Sequence, residues 1–169
     1  MRLKPLSFFI NLLIFVTGIS SSYANSINVN GLLISDFWIK PTIGNHKMTS
    51  GYLTIENTNN IDERLVSLTS EISKKTQLHD MVVRNDIMIM KHLLDGVVIK
   101  ANSKVIFRPG SYHIMFMKLT KPLIVMDKYQ VTLRFKNSGS LIINMPVLSK
   151  KSNNKTKKHH HHWVFYLNN

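Results

Sequence analysis

His79, Met90, His113 and Met115 are the residues of this sequence whose types and spacing could do chemistry. Two imidazoles and two thioethers make a soft, uncharged donor set. Thioether sulfur suits Cu(I) far better than zinc, magnesium or calcium, and imidazole is a borderline donor that Cu(I) also accepts. The sequence contains no cysteine. No thiolate is therefore present to be lost to disulfide or sulfenate, and a His/Met set can persist in an oxidising compartment.

Such donors need elements that aim them the same way. The segments carrying them alternate with period two, the mark of a β-strand. Successive side chains on a strand point to opposite faces. Along Tyr112-His113-Ile114-Met115-Phe116-Met117, His113, Met115 and Met117 share one face, while Tyr112, Ile114 and Phe116 face a core. Along Ile87-Met88-Ile89-Met90-Lys91-His92, Met88, Met90 and His92 share a face, and in Leu78-His79-Asp80-Met81 so do His79 and Met81. Met81, Met88 and Met117 are thus possible alternate or neighbouring donors. The bland reading competes with this one, because Met fills irregular cores and a Met stripe often means packing. That reading applies to Met88 and Met117 taken alone. His46 and His92 read as ordinary surface or satisfied histidines.

The remaining segments tell the same structural story. Strands are expected at 32–40, 51–57, 64–69, 76–84, 87–93, 97–100, 104–108, 112–118, 129–136 and 141–147, with a hairpin loop at Asn137-Ser138-Gly139-Ser140. There is no convincing amphipathic helix and no internal repeat. Many short strands with frequent turns predict an all-β sandwich or barrel.

The N-terminus speaks to location. Arg2 and Lys4 precede an apolar stretch from Leu6 to Ile19, and Ser22-Tyr23-Ala24 offers a small-x-small cleavage site. This is the layout of a secretory signal peptide over 1–24. An uncleaved anchor is the alternative, but the stretch is short for a span of about 20 residues. Residues 25–149 then form one soluble exported domain, held together by packing without disulfides. Residues 150–169 are basic, aperiodic and expected to be disordered. Within them His159, His160, His161 and His162 could take Cu(II), Ni(II) or Zn(II), and Trp163 to Leu167 follows.

Charge narrows the partners. Lys and Arg number 22 against 9 acids, a net charge of +13. Two bases fall in 1–24 and five in 150–158, which leaves 15 bases against 9 acids between. An exported basic protein points away from nucleic acid and toward an acidic protein or an anionic membrane surface.

Upstream and downstream of the His/Met residues, the sequence resembles a known family. The runs Gln77-Leu78-His79-Asp80-Met81-Val82-Val83, Ile87-Met88-Ile89-Met90 and Phe107-Arg108-Pro109-Gly110-Ser111-Tyr112-His113-Ile114-Met115 resemble the periplasmic copper chaperones of the PCuAC type. So do Trp38-Ile39-Lys40-Pro41 and Ser50-Gly51-Tyr52-Leu53-Thr54-Ile55, and the likeness covers roughly 31–148. The family pattern is a His, then a Met, then His-x-Met. Here ten residues separate His79 from Met90, and 22 separate Met90 from His113. The resemblance implies a cupredoxin-like Greek-key β-sandwich that binds one Cu(I) at a partly exposed site, with His79, Met90, His113 and Met115 as ligands. It implies a monomeric periplasmic chaperone delivering copper toward the dinuclear centre of cytochrome c oxidase subunit II, alongside a Sco-type thiol protein. Some members carry a His- or Met-rich extension for Cu(II), which bears on His159–His162. The end Trp163–Leu167 departs from the family pattern, and the tail has no Met.

Other classes fit less well. A blue-copper electron carrier needs a Cys thiolate with two His, and none exists. An enzyme needs paired carboxylates or a nucleophile beside a base; Asp80, Asp86 and Asp95 lie near the His/Met residues in sequence without forming either. A copper-buffering protein and a metal-free exported interaction domain remain as alternatives. If the histidines are ligands, binding should weaken below about pH 6, because protonated imidazole cannot donate to a metal.

Overall fold

The structure, a computed structural model, describes residues 26–149. The expected signal peptide and the basic tail with its four histidines lie outside the described residues. Eleven strands follow one another: β1 (Ser26–Val29), β2 (Leu32–Ile39), β3 (Met48–Asn57), β4 (Glu63–Thr69), β5 (Ser73–Arg84), β6 (Ile87–His92), β7 (Val97–Ile99), β8 (Ser103–Phe107), β9 (His113–Leu119), β10 (Lys128–Phe135) and β11 (Ser140–Pro146). They pack as two antiparallel sheets. The larger runs β1-β2-β3-β9-β5-β6, with β8 also on β3; the smaller runs β11-β10-β4-β7. The expected all-β sandwich is therefore the observed fold.

Alternation sets the core. Ile34, Leu53, Ile55, Leu78, Ile114 and Phe116 from the larger sheet meet Leu65, Val131, Leu133 and Ile143 from the smaller one, all buried. Burying that apolar area supplies most of the driving force, at roughly 25 cal/mol per Å². Gly51 belongs to this layer for a steric reason: a Cβ there would stand 2.8 Å from the ring of Phe116. Strand β3 changes partner along its length. Residues 53–57 pair with β8 and residues 48–51 with β9.

Three differences from the expected strands exceed one residue, and one of them is β5, which begins at Ser73 rather than 76. β1 lies ahead of the expected strands, because four residues are too few for alternation to stand out. β3 begins at Met48 rather than 51, because pairing with β9 extends it through the polar Thr49 and Ser50.

Turn chemistry then fixes the register that matters most. Asn85 and Asp86 have φ of 51° and 62°. These are the left-handed values a two-residue type I′ hairpin requires and Asn and Asp tolerate. The turn closes Arg84 on Ile87, so Met81 stands opposite Met90 and His79 opposite His92. A slip of one residue would turn that whole His/Met row to the core side.

Candidate metal centre

Leu78, Ile114 and Phe116 point into the core, so their neighbours point outward. On the outer face, β9 pairs with β5 such that His113 opposes His79 and Met115 opposes Gln77. β6 lies on the other side of β5, with Met90 opposite Met81. His79, Met90, His113 and Met115 thus occupy one face of three adjacent strands. Directly opposed Cβ atoms lie about 5 Å apart and diagonal ones about 7–8 Å. Met115 and Met90 are each diagonal to His79. Met90 stands two strands from His113, at a strand spacing of about 4.8 Å, so its unbranched side chain must lean over β5 to share a ligand with it.

The alternate donors separate on inspection. Met81 lies in the middle of the patch, facing Met90. Met88 lies toward the hairpin tip opposite Val83, and Met117 lies the other way, between Met48 and Lys75. His46 sits in an exposed loop.

Although they belong to the outer face, the two histidines are covered. His79 is 9% exposed and His113 is 5% exposed. Their rings pack edge to face with centroids 5.7 Å apart. Met90, by contrast, is 37% exposed on the edge strand. The Nδ1 of His113 is 2.9 Å from the Ser111 carbonyl oxygen, and the Ser50 hydroxyl reaches the Met115 sulfur at 3.9 Å. Burial, helped by the neighbouring imidazoles of His113 and His92 and by Lys75, lowers the His79 pKa to about 4. His79 is therefore a neutral, donating imidazole over the whole range in which a free histidine would titrate.

One atom stands out. His79 Nδ1 is buried without a hydrogen-bond partner, and among the described residues it is the sole buried side-chain nitrogen or oxygen in that position. Buried polar atoms are ordinarily paired. This nitrogen lies beside a second imidazole, on the face that also carries Met115 and Met90, and together they make a soft, neutral donor set. Among the described residues, no three His, Asp or Glu side chains are gathered as a metal-holding group.

Sequence reasoning passed over His92. It is bonded, as a satisfied histidine should be, yet it stands directly opposite His79 with ring centroids 5.4 Å apart. Its partner is Gln77, whose amide nitrogen is 3.2 Å from His92 Nδ1 and whose amide oxygen is 3.1 Å from His79 Nε2. The available signal was phase: Met88, Met90 and His92 alternate together, and Gln77 is two residues before His79.

Residues 32–147 match the family described as "Putative lipoprotein LpqE-like". The chain belongs to this LpqE-like family. Over 118 residues it is 32% identical to "Putative lipoprotein Lxx21020" of Leifsonia xyli subsp. xyli, covering 70% of each chain. Its fold is similar to the copper-bound PCuAC domain from PmoF2, with a TM-score of 0.64 at 19% identity, over 75% of this chain and 99% of that one. It is also similar to the Cu(I) form of DR1885 from Deinococcus radiodurans, with a TM-score of 0.55 at 19% identity, over 76% and 82%. This LpqE-like chain therefore has the cupredoxin-like sandwich of PCuAC domains.

Proposed function

We propose that this protein is a periplasmic metallochaperone that carries one Cu(I) on His79, Met90, His113 and Met115. The observation that carries the reading is the unpartnered Nδ1 of His79, buried beside His113 and flanked on the same face by Met115 and Met90. The donor set is soft and neutral, as Cu(I) prefers. The copper-bound PmoF2 domain and the Cu(I) form of DR1885 share the fold, which adds support.

The arrangement suits a carrier that must let go. His79, His113 and Met115 sit on β5 and β9 inside the sheet. Met90 sits on the edge strand and is the exposed member of the set. An incoming thiolate displaces Met90 first, while the buried imidazoles still hold the ion. Thiolate is the softer and stronger ligand, so exchange runs toward a cysteine-bearing acceptor. Lys74 and Lys75 line an open cleft beside Gln77 and His92, a basic flank for an acidic partner. The acceptor we propose is the dinuclear copper centre of cytochrome c oxidase subunit II, reached together with a Sco-type thiol protein.

Competition titration against a Cu(I) chelator tests the ligand set. Met90→Leu and Met115→Leu conserve volume and are expected to leave melting temperature nearly unchanged while weakening Cu(I) binding about tenfold or more. Unchanged affinity in both variants would overturn the assignment. Mixing the Cu(I) protein with a soluble subunit II domain tests delivery, and copper retained on the chaperone would reduce the role to storage.

A further inference from the structure

Gln77 and His92 lie just outside the proposed donor set, and their chemistry constrains it. An amide oxygen can only accept a hydrogen bond, and an amide nitrogen can only donate one. The Gln77 oxygen is 3.1 Å from His79 Nε2, so that nitrogen must carry the ring proton. The second nitrogen of a neutral imidazole then holds a free lone pair. In His79 that is Nδ1, the buried atom with no partner. At its other end, Gln77 donates to His92 Nδ1 at 3.2 Å, which leaves His92 protonated on Nε2. The same reasoning applies to His113. Its Nδ1 faces a backbone carbonyl, which can only accept, at 2.9 Å, so its lone pair lies on Nε2.

We propose that Gln77 is the positioning residue of the metal site: tethered by His92, it holds His79 in the Nε2-protonated form, so that His79 donates through Nδ1 while His113 donates through Nε2. Gln77 reaches this position because it shares the outer face with His79, two residues along β5. His92 reaches it because the Asn85-Asp86 turn sets β6 in register. Partners of this kind fix the ring orientation and tautomer of a ligating histidine, and losing one typically costs 10–100-fold in metal affinity. Only the copper part of this inference rests on the proposed function; the tautomers belong to the copper-free protein.

Long-range ¹H–¹⁵N NMR of the imidazoles in the full chain, at pH 7.5 without copper, reads the tautomers directly. The expected result is His79 and His92 protonated on Nε2 and His113 protonated on Nδ1. His79 found protonated on Nδ1 would overturn the proposal, whether or not copper binds. In Gln77→Leu, His79 should become a mixture of tautomers and Cu(I) affinity should fall about tenfold. In Gln77→Glu, which keeps the acceptor but loses the donor, the His79 tautomer should be retained while the His92 proton moves to Nδ1. A His79 tautomer unchanged in Gln77→Leu would remove the positioning role. Cu(I) is diamagnetic, so added metal should move His79 Nδ1 and His113 Nε2. A shift at His92 in place of His79 would make His92 the ligand and overturn the proposal. Absence of any copper-induced shift would defeat the proposed function, while the tautomers would still decide the role of Gln77.

Discussion

Two regions of this sandwich bury polar side chains, and they treat them in opposite ways. At the corner where β3 leads into β4, Glu63 is 4% exposed. It accepts from the backbone nitrogens of Arg64, Asn137 and Ser138 and from the Ser138 hydroxyl. Burial alone would push its pKa up, but these bonds outweigh burial and hold the carboxyl below its usual range. Nearby, Asn57 donates to the carbonyls of Ile61, Ile99 and Lys100. On the outer face of β5, His79 is almost as buried and leaves one nitrogen without a partner. A closed network ties the β10–β11 turn to β4 and contributes to stability. An open one gives up stability and keeps a donor in reserve. The difference separates scaffold from site more sharply than residue type does.

That contrast can be broken by mutation. The largest effect is expected from Glu63→Leu, which leaves four donors without their acceptor. Unfolding in urea should show a loss of several kcal/mol with Cu(I) stoichiometry unchanged in the protein that remains folded. A loss below 1 kcal/mol would mean that the corner is not the scaffold we take it to be. His79→Leu should do the reverse. It removes the unpaired buried nitrogen together with the one hydrogen bond from Nε2 to Gln77, so the copper-free protein should be about as stable as wild type, while Cu(I) affinity collapses.

Acid sharpens the comparison further. The unfolded chain takes up a proton on His79 near pH 6.5, whereas the folded chain refuses it until about pH 4. Stability therefore falls as pH drops through that window, by up to about 3 kcal/mol, and this component levels off below it. The carboxyl of Glu63 is depressed instead, so its contribution persists above the usual carboxylate range and is lost at lower pH still. Melting curves between pH 7 and 4 should show the first component in wild type and lack it in His79→Leu. The smallest effect is expected at the exposed pair Lys100–Asp62, 2.7 Å apart. Lys100→Ala should leave urea unfolding almost unchanged, because exposed ion pairs are screened by solvent, and a clear loss would show that exposed pairs matter here too.

Much of the site was legible because a strand has period two. The shared faces of His79 with Met81, of Met88 with Met90 and His92, and of His113 with Met115 and Met117 follow from that period. All three rows lie on the outer face, as Leu78, Ile114 and Phe116 opposite them lie in the core. The all-β class was equally open to reading. What could not be read was adjacency. β5 and β6 form a local hairpin, closed by the Asn85-Asp86 turn. β5 and β9 pair across many intervening residues, and no local signal says that His79 meets His113. Nor could His92 be told from an ordinary surface histidine until its cross-strand neighbour was known.

By itself, the order of residues determined the kind of chemistry and the side of each strand that carries it. Residue type sets ligand softness, and backbone geometry sets alternation; both are local. Only the tertiary structure decided that three strands lie side by side in this register, that a glutamine links two imidazoles, and that one nitrogen is buried without a partner. Those facts depend on contacts between distant segments. Such contacts form only when the two sheets bury their apolar faces together.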